Sequence, residues 1–180
     1  MKLSLSFAIL ALSSVSAFAA NPDVGGAAMY EDKTIVENAV NSADHTTLVA
    51  AVQAAGLVET LQGAGPFTVF APTNAAFAKL PAGTVDTLLK PENKEMLVKI
   101  LTCHVVGANA MSDAIGKMIA DDKGMHPVPT LGGCTLNATM DGDMIKLTDE
   151  MGNVATVTIA DVKQSNGVIH VIDTVMLPKM

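Results

Sequence analysis

The sequence predicts a single α+β domain: a helical first half followed by a β-meander. Three observations carry this. A strand, a turn and a short helix are packed into the stretch from Gly65 to Pro81. Apolar residues recur at helical spacing on both sides of that stretch, between residues 34 and 120. After Met125 the texture changes to short apolar runs separated by Gly132-Gly133, Asp141-Gly142, Gly152-Asn153 and Asn166-Gly167, all good turn formers. No internal repeat and no low-complexity linker divides the chain.

Residues 1–19 read as an export signal. Lys2 supplies a positive start, Leu3 to Leu12 an apolar run, and Ala17, Phe18 and Ala19 a small-x-small cleavage pattern. The run is too short to span a membrane. No cysteine stands at the cleavage point, and the C-terminus is too short for an anchor signal. Export without stable membrane insertion is therefore expected, to the periplasm or the exterior. Residues 20–33 are rich in Gly and Ala and read as a flexible N-terminal arm.

Thr34 and Glu37 form a capping-box pattern that opens a helix with Ile35, Val36, Ala39 and Val40 inward. Asp44 or Thr46 starts a second helix with Leu48, Val49, Val52 and Ala55 on one face, ended by Gly56; Leu57 to Leu61 make a further turn. Phe67 to Phe70 is aromatic and β-branched, hence a strand, and Pro72 stops it because proline has no N–H for a ladder. Thr73 and Asn74 can cap a helix whose inner face is Ala76, Phe77 and Leu80. Thr84 caps residues 85–89, and Pro91 suits the first turn of a helix running to Ile100. Thr102 to Val106 reads as a strand and Ser112 to Ala120 as a helix. The meander strands are expected at 128–131, 134–138, 144–148, 154–159 and 168–171.

The formal net charge is −7, and all eleven basic residues are lysines. A chain without arginine lacks the forks and patches that recognise phosphate, so nucleic acid is not an expected partner. There is no Trp and one Tyr, which leaves few stacking platforms for sugars or bases.

Two cysteines, Cys103 and Cys134, in an exported domain suggest a disulfide. The other reading is a pair of buried free thiols. On a strand, Cys103 and His104 point to opposite faces and cannot form a nucleophile–base pair. The four histidines, His45, His104, His126 and His170, lack metal-ligand spacing. His104 and His170 sit among apolar residues and read as hydrogen-bonded core residues. The scattered methionines read as core filling rather than a copper site. Asp121-Asp122, Asp141/Asp143 and Asp149-Glu150 lack the ligand ladder of a calcium loop and read as turns and solvated edges. Asn137-Ala138-Thr139 matches a glycosylation sequon. No catalytic, metal or cofactor constellation is expected.

The stretch from Gly65 to Pro81, the run from Leu101 to Val106, and the run from Ser165 to Pro178 occur in the order and at the separation of three signatures of the fasciclin-like adhesion domain, which this chain resembles over residues 34–178. The resemblance implies a wedge of two β-sheets flanked by several short α-helices, spanning 34–180. It implies core and turn roles, not a binding site, for Phe67, Thr68, Phe70, Pro72, Thr73, Asn74, Phe77, His104, Asn166, Gly167, His170 and Asp173. Cys103 replaces the tyrosine that usually precedes the histidine. The implied function is an exported adhesion or extracellular interaction module, not an enzyme and with no cofactor, acting as a monomer on a surface or matrix protein or polysaccharide. Some relatives in photosynthetic organisms bind carotenoids, so a carrier of an apolar small ligand is the alternative.

Overall fold

The computed structural model describes residues 21–179; the expected export signal lies outside them. In chain order the elements are β1 (Asp23–Val24), β2 (Ala27–Ala28), α1 (Ile35–Ala39), α2 (Thr46–Ala55), α3 (Val58–Gln62), β3 (Phe67–Pro72), α4 (Asn74–Ala78), α5 (Thr84–Leu88), α6 (Lys94–Thr102), β4 (Val105–Val106), α7 (Ser112–Asp121), β5 (Met125–Pro129), β6 (Thr135–Asp141), β7 (Met144–Thr148), β8 (Val154–Gln164) and β9 (Gly167–Ile172). This is the expected α+β class, with short helices around a sheet-rich core.

The main sheet has seven strands in the order β4-β3-β9-β8-β7-β6-β5. Its centre is the parallel pair β3–β9, formed by two of the signature stretches. Both strands are buried on both faces, which suits their near-continuous apolar sequence. The long β8 pairs with β7 through residues 154–156 and with β9 from Val157 onward. Register shifts at 157/159 and 159/162 interrupt it. Such bulges bend a strand, so the sheet divides into two arms at β8. One apolar cluster gathers α1–α6 against β3 and β9. The other gathers α7 against β5–β8. Val69 and Ala71 belong to the first and Phe70 to the second, which is the strand alternation made visible.

Both free edges of the sheet are dealt with. Edge strand β5 carries Pro127 and Pro129, which have no N–H to offer another chain. Edge strand β4 is covered by the loop that follows β5. There the Leu131 N–H donates to the Val105 carbonyl (2.8 Å) and the Gly132 N–H to the Thr102 carbonyl (3.0 Å). Cys103 and Cys134 are joined by a disulfide across 31 residues, at the same seam.

Three expectations need correction. The segment 20–33 is not a loose arm throughout: β1 and β2 pair, and Val24 and Met29 are buried in the first cluster. The strand expected from Thr102 is only Val105–Val106, because α6 runs on to Thr102 and Cys103 caps it. Leu97, Ile100 and Leu101 form a helical apolar face with no glycine or proline to stop it, and this outweighs the β-branched residues that follow. The strand expected at 128–131 lies at Met125–Pro129, and Thr130 and Leu131 belong to the seam loop.

Candidate functional site

The signature residues form a set of polar fasteners. Thr73 caps α4 by accepting from the Ala76 N–H (3.2 Å). Asn74 reaches away from its own helix. Its Oδ1 accepts from the Thr47 N–H (3.0 Å) and its Nδ2 donates to the Ala43 carbonyl (2.8 Å). It thus serves the first turn of α2, whose own N-cap, His45, makes no side-chain cap bond. Asn166 does the same for α1: Oδ1 accepts from the Ile35 N–H (3.0 Å), while Nδ2 donates to the Leu61 and Gly63 carbonyls. Gly167 lies so close to β3 that a Cβ there would stand 2.0 Å from the Phe67 oxygen. Asp173 accepts from the Thr156 N–H (2.8 Å) and pairs with Lys79. Phe67 and Phe77 pack into the first cluster, and Pro72 pairs with Ile172 at the end of β3.

The linker after β4 is held from below. The Thr68 hydroxyl donates to the Ala108 carbonyl (2.6 Å) and accepts from the Ala110 N–H (2.8 Å). His170 Nε2–H donates to the Ala110 carbonyl (2.8 Å), and its Nδ1 accepts from the Asp161 N–H (3.2 Å). Phe70 stacks on the His170 ring with centroids 5.7 Å apart. Asp161 in turn accepts from both the N–H and the hydroxyl of Ser112 at the start of α7.

His104 fastens the C-terminal segment. Its Nδ1–H donates to the Ile100 carbonyl (2.8 Å), and its Nε2 accepts from the Met176 N–H (2.9 Å). These partners require the neutral ring, and burial pushes its pKa down to about 4. Burial lowers His170 as well, against the raising effect of the Ala110 carbonyl. Neither histidine has a nitrogen left for a ligand. Asp149, read from sequence as a solvated edge, is buried. It accepts from the Met151, Asn153 and Leu177 N–H groups, tying the β7–β8 turn to the same C-terminal segment. Only its spacing from Asn153 and Gly152 in a turn hinted at this.

Among the described residues there is no free cysteine and no cluster of three or more metal-ligating side chains. Cys103, expected on a strand facing away from His104, is instead a helix cap bridged to Cys134. One hydroxyl–imidazole contact exists, between Ser42 Oγ and His45 Nδ1 (2.9 Å). Both side chains are buried beside a pocket of about 30 Å³.

One recess is apolar, while a wider and more open one of about 710 Å³, along Asp113, Asp161 and Lys163, is mostly polar. A cleft of about 290 Å³ lies between α1, α2, α3, β3 and the seam. Val36, Val40, Val49, Leu57 and Val58 form its mouth, and Leu131 of the disulfide-tied loop forms one lip. Val40 and Leu131 are each about half exposed, at 52% and 53%. No linear motif announces this cleft, because six separate elements, α1, α2, α3, β3, α6 and β4, and the loop after β5 build it.

The sheet order, the helical first half and the paired central signatures define a helix-flanked α+β wedge. The fasciclin domain model matches residues 43–178, and the chain belongs to the fasciclin domain family. It is 52% identical over 157 residues to protein sll1483 of Synechocystis sp., covering 87% of this chain and 80% of that protein. It is 40% identical over 122 residues to the cell surface glycolipoprotein MPB83 of Mycobacterium bovis, covering 68% of this chain and 48% of that one. The solved structure of a FAS1 domain pair from the insect cell adhesion molecule Fasciclin I superposes with a TM-score of 0.70 at 18% identity, over 81% of this chain and 51% of that one, a likeness of fold. No described helix is long and apolar enough to cross a membrane.

Proposed function

We propose that this chain is an exported interaction module without catalytic activity, and that it makes contact through the apolar cleft. The observation that carries this is the division of labour among its side chains. Thr68, Asn74, His104, Asn166 and His170 spend their hydrogen bonds on the backbone, while the cleft presents aliphatic groups to the outside. A recess of that kind takes up apolar side chains of a protein partner at the cell surface or in a matrix. Polysaccharide fits it less well, since the chain has no Trp and the cleft no aromatic mouth. A relative named as a cell surface protein is consistent with export. The test is deletion of the gene. Loss of surface attachment or aggregation, restored by the wild-type gene, supports the reading; unchanged attachment and aggregation under every condition tried removes it.

A second reading is favoured by the apolar lining of the cleft: a carrier of an apolar small molecule, such as a carotenoid. A volume of about 290 Å³ is at the lower end of ligand pockets, which run from about 300 Å³ upward. A native mass spectrum of protein from its own exported fraction separates the two. A stoichiometric extra mass that leaves on denaturation favours the carrier; the bare chain favours the interaction module.

A further inference from the structure

Behind the cleft lies the smaller pocket of about 30 Å³. The two share four lining residues, Ile35, Ala39, Leu48 and Val69, so a wall one side chain thick separates them. At the far side of this wall stand Ser42 and His45, the polar side chains of an otherwise apolar pocket. His45 is 3% exposed, and its Nε2 is buried without a hydrogen-bond partner. The Ala71 backbone is close enough to favour a proton on the ring but does not meet hydrogen-bond geometry. A buried polar atom left in this state costs on the order of 1–3 kcal/mol, and such atoms are rare in folded proteins. A solitary water would find His45 Nε2 and the Ala71 backbone beside it, fewer partners than the about three that buried waters have.

We infer that cleft and pocket form one ligand channel, and that His45 Nε2 anchors the oxygen at the end of an elongated apolar molecule. This rests on the carrier reading of the cleft. The wall is made of aliphatic side chains, and the channel requires Ile35 and Leu48 to turn aside about their side-chain bonds. The chemistry of the anchor narrows the ligand. Ser42 Oγ and His45 Nδ1 share one proton position between them. If Nδ1 accepts, Nε2 carries a hydrogen; if Nδ1 donates, Nε2 presents a lone pair. A hydroxyl group satisfies either state. A carboxylate would bring an uncompensated charge into an apolar pocket, at a cost that one neutral ring does not offset. The ligand class is therefore a long-chain alcohol or a similarly hydroxylated hydrocarbon, not a fatty-acid anion.

The test uses 1-octanol and n-octane as probes on the full exported chain. Binding of each is followed by NMR titration of wild type and of His45→Phe, with His45→Gln as a polar control. The ¹⁵N resonance of His45 Nε2 is read in the wild type. We expect the ratio of octanol to octane affinity to fall about fivefold or more in His45→Phe, the value of one net hydrogen bond, and to be largely kept in His45→Gln. The Nε2 resonance is expected to move with octanol and stay still with octane. That second readout needs no variant, so it decides even where His45→Phe fails to fold. Octanol that binds without moving the Nε2 resonance, or an unchanged ratio in His45→Phe, overturns the anchor and leaves the carrier reading standing. Failure of both probes to bind the wild type overturns the carrier reading and the anchor with it.

Discussion

Replacing Asn166 by alanine removes three hydrogen bonds that join parts of the chain more than a hundred residues apart. Its Oδ1 accepts from the Ile35 N–H in the first turn of α1, and its Nδ2 donates to the carbonyls of Leu61 and Gly63 after α3. Each bond is worth about 1 kcal/mol net, and the orphaned backbone groups regain water only in part because the site is half-buried. The expected loss is about 2–3 kcal/mol. Urea unfolding followed by circular dichroism measures it: the midpoint falls while the slope is unchanged, since the folded surface is the same. Asn166→Asp refines the reading. It keeps the acceptor toward Ile35 and loses both donors, so it should fall between alanine and wild type only if the two donor bonds do not carry the whole effect. An Asn166→Ala loss below about 0.5 kcal/mol, the range of ordinary surface changes, would refute the view that this side chain staples α1 and α3 to the β8–β9 turn.

Substituting both Cys103 and Cys134 by serine should cost about 3–4 kcal/mol, from the 31-residue separation they span, read in the same unfolding experiment; alkylation of the unfolded protein without reductant should label neither cysteine in the wild type. Gly167→Ala places a methyl 2.0 Å from the Phe67 oxygen on the neighbouring strand and should cost more than about 4 kcal/mol or prevent folding, seen as loss of soluble protein. His104 is held neutral in the folded state at a pKa of about 4, below its ordinary value of 6.5, so the unfolded chain binds the extra proton first as pH falls. Its contribution is present in full above about pH 6.5 and is lost as pH falls toward about 4, on the order of 3 kcal/mol; His170 acts in the same direction. Unfolding curves from pH 7 to 4 check this, and His104→Gln should flatten the slope.

The parts of the fold carried by local chemistry were legible in the sequence. The Thr34–Glu37 capping box, the Thr73 cap and the Asn166-Gly167 turn appear where their residues demand them. The two central strands read correctly because both are apolar runs bounded by turn formers. What failed depended on distant partners. Thr102 and Cys103 look like strand residues until Leu97, Ile100 and Leu101 are seen packing as one helical face. Val24 and Met29 sit in a Gly- and Ala-rich stretch, and their burial depends on α1, β3 and β9 coming to meet them. Asn74 reads as a cap of its own helix; that it serves the first turn of α2 instead, 27 residues away, is tertiary information. The cleft is of the same kind: Val36, Val40 and Val49 read as inward-facing helix residues, and only the arrangement of three short helices leaves Val36, Val40 and Val58 facing a recess.

The most direct test of the cleft as contact surface is attachment of cells that carry Val40→Asp in place of the wild-type protein. Val40 stands at the mouth, follows the last turn of α1 and is 52% exposed, so a carboxylate there reaches solvent without disturbing the core. Export and thermal stability should match the wild type, while attachment falls to the level of the deletion strain, because the charge must be desolvated when a partner's apolar groups enter. Attachment at the wild-type level, with Val40→Asp exported and folded in equal amount, would contradict the account and move the contact to another face of the wedge.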